Sequence, residues 1–574
     1  MNSDFENLKK RFKRTNSLIR KKYLEYVPVL FITNLSSLLL ITIDGIFVGN
    51  YIGSEALAAV DMFTPIAVFI SAYIALIAHG IADNFADALI GNDPMEKQYN
   101  AKAIKFVVVV SVIILAFIQA PITRFILRLY DPAPELYSMA RAYAIAMLIS
   151  MPFELISTVG ACQFQEIGRM NVLMYISIIE GVVNIILNFV FVVALKMGVR
   201  GAGISTAIAV IVDSVLTATY FLTKTNIYKR HKVKLRMEDV KKIIVVGVPY
   251  SIGILTSAIH AFLMLKIIFY AFGESGAEVD GVCNFCLSVA TVFIASCADA
   301  NGPLNGIFLS IGDRIAVRDA LRISIRQIIV SVGAFTVFIF LKPELFYHIN
   351  GVDNIPSFGI NALKIYALCL IAWGINSLFA GYFIDSAEAR ITARLTIIGD
   401  LLTPVVAILF LHFVGKVHLW FAELVVASLV LLIYLIRYLI DYFKEEKEEE
   451  KDSDILYLEV EPNEGVEASK ELYEYAIANN HPKDVSNDVA VCMEKMVDYA
   501  VKSHDSQDIH IQIMIRFKGA GAKFIMFDDG ERLHFHGKNE PDKVLSENFE
   551  LVKKMAKSYK YQYVLNMNYI TFEF

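Results

Sequence analysis

Glu180, Asn184 and Asn188 stand four residues apart in an otherwise apolar stretch, which sets three oxygen-bearing side chains on one face of a helix. Asp44 lies towards the end of another apolar run, and Thr206 and Asp213, seven apart, share a face of a third. An ionisable side chain in a membrane-spanning helix is costly unless it is paired, hydrated or at the interface. If these oxygens converge, they can hold a Na⁺ ion or relay a proton. The alternative is polar glue between helices. The second half of the chain carries a different set: His260 and Lys266 in one run, Asp299 in the next, and Asp385 at the end of a later one. Lys266, within Leu-Met-Leu-Lys-Ile-Ile-Phe-Tyr, must find an acid or snorkel to the interface. His79, Asp83, Asp87, Asp400 and His412 read as lying near membrane faces, and Glu154 and Asp61 have no motif behind them.

The elements that must position these groups are helices. The 574-residue chain is 56% hydrophobic and only 19% charged, and its long apolar runs are confined to residues 24–442. Twelve runs are long enough for a hydrocarbon core of about 30 Å. They lie near 24–48, 57–82, 104–123, 138–162, 172–195, 201–223, 243–272, 281–304, 323–341, 361–384, 392–414 and 418–442. Eight Lys/Arg residues precede the first run, which is too long for a signal peptide and is followed by no small-residue cleavage site. The loop 224–242 holds eight Lys/Arg, whereas 273–280 holds none and has three acids. Basic loops favour the inner side, so both termini are expected in the cytoplasm of a multi-pass cell-membrane protein.

Five of the six cysteines fall inside apolar runs, so Cys283-Asn-Phe-Cys286 reads as small packing residues and no disulfide framework is expected. The net charge of -5 sums a basic membrane face and acidic stretches after residue 444, and it implies no affinity for nucleic acid. A weak internal repeat is visible. An offset of 221 residues takes Pro28 to Pro249, Gly91 to Gly312 and Arg169 to Arg390, which suggests two six-helix halves. Transporters commonly place their pathway between such halves.

After Tyr442 the run 444–454 reads as a charged linker or helix extension. Beyond it come a strand at 455–460, helices at 468–478 and 485–501, and paired strands at 509–517 and 523–527. A helix at 547–559 and final strands to Phe574 complete an α+β module of about 120 residues. The expected organisation is therefore a basic N-terminal tail 1–22, a first lobe 23–225, a basic loop 226–242 and a second lobe 243–442. A linker 443–454 and a cytoplasmic module 455–574 follow.

The membrane part resembles the multidrug and toxic compound extrusion (MATE) family over residues 15–442. The resemblance rests on an ordered set. It begins with Asp44-Gly-Ile-Phe-Val-Gly-Asn-Tyr-Ile-Gly-Ser-Glu-Ala-Leu-Ala-Ala-Val60 and Thr64-Pro65, and continues with Gln165-Glu-Ile-Gly-Arg169 and Asn184-Ile-Ile-Leu-Asn188. Gly201-Ala-Gly-Ile-Ser-Thr206, Gly247-Val-Pro249 and 303–312 complete it. It implies twelve helices in two lobes around a central cavity, and export of cationic or amphiphilic small molecules driven by Na⁺ or H⁺ influx. It also implies that Asp44, Asn184 and Thr206 match the family's cation site in the first lobe. Asn188 departs from the pattern, which has Asp there, and Glu180 or Asp213 is expected to supply the missing carboxylate. Asp44 and Glu180 are expected to hold the coupling cation together. Flippases of lipid-linked sugars share the fold.

The module after residue 455 has its own candidates. Glu494 and Asp498 lie one turn apart on a helix, and Asp528-Asp529-Gly530 follows an apolar strand. A carboxylate pair and an Asp-x-Gly turn suit Mg²⁺ and a nucleotide base, although such motifs are also common as solvated faces and turns. The order of elements resembles the GHKL ATP-binding fold, most closely the anti-sigma-factor serine kinases. That resemblance implies that Glu494 and Asp498 match the Mg²⁺ site and that Asp528 and Gly530 match the adenine box. Asp498 stands in place of the family's Asn, Arg532 stands at the box's second glycine, and the glycine-rich lid near 546–549 is missing. The module is thus expected to be regulatory, with eroded ATP/Mg²⁺ binding, and to engage a cytosolic regulatory protein. A second class of reading makes the membrane part a sensor for a serine kinase; a third makes it a flippase.

Overall fold

The computed structural model of the chain describes residues 17–90, 94–129, 134–225, 228, 232–310, 313–352, 354–386, 388–452, 454–503, 509–533 and 540–574. Two compact units emerge: Tyr23–Tyr434, and Leu435–Phe574 together with the segment up to Lys22.

The larger unit is helical throughout, because a backbone inside hydrocarbon must satisfy its own N–H and C=O groups. Its first half comprises α1 (Ser17–Tyr51), short α2 (Ser54–Asp61), α3 (Thr64–Ile90), α4 (Pro94–Leu129), α5 (Pro134–Glu166), α6 (Met170–Asn188) and α7 (Val199–Lys224). A π-helical segment, Phe189–Ala194, prolongs α6. The second half comprises α8 (Met237–Phe272), α9 (Glu274–Ser310), α10 (Arg314–Leu341), short α11 (Pro343–Ile349), α12 (Gly359–Asp385), α13 (Ala389–Phe413) and α14 (Phe421–Asp452). Among the described residues, twelve helices are long and apolar enough to cross a membrane. Large apolar side chains such as Phe117, Tyr270 and Phe413 are exposed on them, as a lipid-facing surface requires.

The halves meet in a way that respects the repeat. Helix α1 meets α9 through side chains, Phe31 packing on Phe293 at 5.0 Å and Asn34 donating to Asp299 at 3.3 Å. The corresponding pair, α3 and α8, is joined by the stacked rings of His79 and Tyr250, 4.0 Å apart. Pro28 and Pro249 sit inside α1 and α8, and Arg169 and Arg390 stand at the starts of α6 and α13. Gly91 and Gly312 lie outside the described residues. Where α3 crosses α8, the two backbones touch. A Cβ at Gly247 would fall on the backbone carbonyl of Leu76, and one at Gly80 on that of Ile243.

Several boundaries differ from expectation. The basic segment before residue 23 is already helical from Ser17. The loop expected at 226–242 ends at Arg236, because Glu238 and Asp239 supply the acidic first turn that favours a helix N-terminus. Arg236 fixes that start by donating to Asp239 at 2.9 Å and to Glu96 of α4 at 2.7 Å, with its guanidinium over the Tyr99 ring. All six cysteines are buried and free.

In the smaller unit, β1 (Asp454–Val460), β2 (Ile511–Lys518), β3 (Gly521–Asp528), β4 (Ser558–Val564) and β5 (Met567–Glu573) form one antiparallel sheet in the order β1-β2-β3-β5-β4. Helices α15 (Gly465–Ala478), α16 (Lys483–Lys502) and α17 (Glu540–Met555) share its core, Leu472, Met493, Met496 and Val552 meeting Ile513, Phe524 and Ile570. The last helix ends at Met555 rather than 559, since Ser558 and Tyr559 are already paired with Glu573 and Phe572. Lys21 belongs to this unit, its Nζ 2.6 Å from Asp529 Oδ2 and 3.1 Å from His510 Nδ1. Burial pushes the Asp529 carboxyl up, but Lys21 and the His510 N–H outweigh it and hold it below the ordinary carboxylate value.

The α3–α8 contact gives a direct test. Gly247→Leu forces two backbones apart, and overpacking of this kind costs about 1–3 kcal/mol. The expected outcome is a lower Tm in detergent by several degrees, with Gly281→Leu on open space as the silent control.

Candidate functional site

Three helices bring the first-half candidates together. Asp44 of α1 is 5% exposed, and Asn184 and Asn188 of α6 are fully buried. Asn188 Nδ2 donates to Asp44 Oδ1 at 2.8 Å, and Asn184 Nδ2 reaches the same oxygen at 3.4 Å. The Thr206 hydroxyl of α7 donates to Asp44 Oδ2. Asn184 Nδ2 also donates to Thr206 Oγ1 at 2.9 Å, and Asn188 Nδ2 to Asn184 Oδ1 at 3.2 Å. One oxygen of the set, Asn188 Oδ1, is buried with no hydrogen-bond partner among the described residues. The cluster thus offers one carboxylate and several neutral oxygens, the ligand chemistry of a hard monovalent cation. The α-helix gives way to its π-helical segment immediately after Asn188, and π segments favour functional positions.

Glu180 and Asp213 go elsewhere. The two lie close enough to interact electrostatically, and the Thr217 hydroxyl donates to Asp213 Oδ1 at 3.0 Å. Glu154 of α5 is near enough to interact electrostatically with both. Glu180 thus lies beside Asp213 and Glu154, a second group of acids in the first half.

The second-half candidates scatter. Asp299 lines a cavity of about 990 Å³ between the halves, together with His79, Glu166, Lys242, Tyr250 and Asp385. Asn305 donates to Asp385 at 2.8 Å. Lys266 is exposed, its ammonium 4.8 Å from the centre of the Phe262 ring, and among the described residues no ion pair is formed there. His260 of α8 is 2.9 Å from Glu423 of α14. Three acids passed over as functional groups in the sequence, Glu423, Asp280 and Asp400, surround this histidine electrostatically. Asp400 accepts from Thr256 at 2.5 Å and from Ser257 at 3.2 Å. Glu423 and Asp280 stand near the ends of apolar runs, where an acid passes for an interfacial one, whereas Asp400 lies midway along α13.

In the smaller unit the nucleotide candidates have structural duties. Asp528 is fully buried, accepting from Asn568 Nδ2 at 2.6 Å and from the Gly530 N–H at 3.1 Å. Asn568 Oδ1 in turn accepts from the Leu533 N–H and the Tyr561 hydroxyl. Glu494 pairs with Lys495 at 3.0 Å, and Asp498 with Lys502 at 2.8 Å and Asn548 at 3.4 Å. Residues 546–549, where a lid was expected, lie within α17.

With this geometry in hand, the similarities to known proteins fall into place. A family model described as MatE matches residues 30–190. The multidrug export protein MepA of Staphylococcus haemolyticus is 21% identical over 401 residues, covering 68% of this chain and 87% of that protein. MepA of Staphylococcus saprophyticus is 22% identical over 398 residues, covering 68% and 88%. A MATE crystal structure in complex with MaD3S superposes with a TM-score of 0.68 at 22% identity, covering 74% of this chain and 97% of that one. An outward-facing multidrug resistance MATE transporter gives 0.66 with the same coverage. A transporter from Pyrococcus furiosus described as having a binding pocket of reversed polarity gives 0.64. The larger unit thus has the MATE fold.

The Asn568 network predicts its own signature. Asn568→Leu removes the donor to buried Asp528 and the acceptor for Leu533, at a cost of about 1–3 kcal/mol. Hydrogen exchange read by mass spectrometry should quicken across residues 528–533 while α15 stays protected.

Proposed function

We propose that this chain is a secondary active exporter of cationic or amphiphilic small molecules, driven by inward flow of Na⁺ or H⁺, with a regulatory tail. The observation that carries the reading is the Asp44 cluster. Its buried charge is one carboxylate, so one monovalent cation neutralises it, and a neutral buried site is the only inexpensive kind in a membrane. A proton would take a carboxylate oxygen of Asp44 directly. A Na⁺ ion would take that carboxylate with the amide oxygens of Asn184 and Asn188 and the Thr206 hydroxyl oxygen, after rotation of groups that now donate. Asn at 188 in place of Asp keeps the site at a single charge, which supports a stoichiometry of one cation.

The substrate site in this reading is the cavity between the halves. Its acids Asp299, Asp385 and Glu166 outnumber Lys242, which favours a cationic guest, and its apolar walls favour an amphiphile. The similarity to MepA proteins named for multidrug export supports the same direction of transport and class of cargo. The distribution of Lys and Arg supports placing both termini in the cytoplasm.

For the tail we favour a GHKL-derived fold that has lost nucleotide chemistry and acts on transport through a cytosolic protein. Asp528 is bound by its own domain, and the family's glycine-rich phosphate cradle has no counterpart in this sequence. Mg-ATP titrated into the full-length protein should give no heat of binding at micromolar concentrations. Micromolar affinity would overturn this view and revive the signalling alternative.

In proteoliposomes, Asp44→Asn should abolish ion-driven efflux, and Glu180→Gln should weaken it through the second acidic cluster. If both variants transport like the unaltered protein under a Na⁺ gradient and under a pH gradient, the coupling assignment is wrong.

A further inference from the structure

The Asp44 cluster has no counterpart at the same residues in the second half, yet that half buries a charged pair of its own. His260 and Glu423 are joined at 2.9 Å between Nε2 and Oε1, with side chains 18% and 5% exposed. They come from α8 and α14, 163 residues apart in sequence. A buried ion pair is a weak source of stability, because desolvation offsets its attraction, and an apolar pair would serve packing as well. The geometry of the histidine is more specific than packing requires. With Nε2–H donated to Glu423, the buried Nδ1 carries a lone pair, and the Asp400 backbone faces the ring.

Three acids from three other helices lie around it. Glu423 comes from α14, Asp400 from α13 and Asp280 from α9, all close enough to act on the ring electrostatically. Asp280 accepts from Asn284 at 3.1 Å, and the Tyr366 hydroxyl of α12 donates to Asn284 Oδ1 at 3.3 Å. Helix α3, also against α8, presents His79 on Tyr250, ten residues from His260. On α8 itself Lys266 points to an exposed surface. One turn before Glu423, the fully buried Trp420 forms a ring cluster with Phe272 and Phe358, which shields the site on that side.

We propose that His260 and Glu423 form a second proton-binding site, separate from the Asp44 cluster, that exchanges one proton during the transport cycle. The proton adds to Nδ1, giving an imidazolium that balances the Glu423 carboxylate. Its departure returns a neutral ring and leaves the carboxylate among Asp280 and Asp400 without a cation, which weakens the tie between α8 and α14. The exchange in the cycle rests on the exporter reading; the binding of the proton does not.

The protein contains a reporter for this. Its two tryptophans, Trp373 and Trp420, both lie in the second half. Tryptophan emission of the detergent-purified, full-length protein should show a single transition between about pH 5 and 8, the range in which a histidine titrates. His260→Gln should remove it, and Glu423→Gln should move its midpoint to lower pH by about one unit or more, since the imidazolium loses its partner. Asp44→Asn should leave it unchanged. His418→Gln should also leave it unchanged, although that exposed ring stands two residues from Trp420. A transition that survives His260→Gln, or none in the unaltered protein, overturns the site. Should either variant misfold, the other and the unaltered protein's titration still decide. An intact titration in a protein that transports nothing supports the site and overturns the exporter reading instead.

Discussion

A charge in a low-dielectric interior must be met by other groups at once, and most of what is distinctive in this chain follows from that requirement. Asp44 is the clearest instance. Its two oxygens are bound by side chains from α6 and α7, so a single carboxylate ties three helices together. Those helices cannot change their mutual arrangement without first finding another partner for that oxygen pair.

The two halves solve the same problem with different chemistry. In the first, Asp44 is surrounded by neutral amides and a hydroxyl, and Glu180 and Asp213 lie close together. In the second, an imidazole stands among three acids. The joins between the halves differ as well, since α3 and α8 touch backbone to backbone at Gly80 and Gly247 while α1 meets α9 through side chains.

Much of this was legible in the sequence, and the exceptions share a cause. The spans were visible because hydrocarbon imposes both length and apolarity on a helix. Glu180, Asn184 and Asn188 could be grouped because helical periodicity is local. That same periodicity shows which residues share a face, not which helix that face meets, so the nearness of Glu180 to Asp213 of α7 was out of its reach. Glu423 was passed over for the related reason that it lies two residues inside α14, where an acid reads as interfacial, and its partner is 163 residues away. In the tail, the order of strands and helices was readable to within a few residues. The burial of Asp528 was not, since it depends on Asn568 arriving from a neighbouring strand.

The π-helical segment after Asn188 carries a last consequence. A π turn is an α turn with one residue too many, so restoring α geometry there would rotate everything beyond it by about 100° relative to what precedes it. Such a segment has discrete settings, like the teeth of a ratchet. Placed immediately after Asn188, it sets the register between the Asp44 cluster and the end of the helix that carries it.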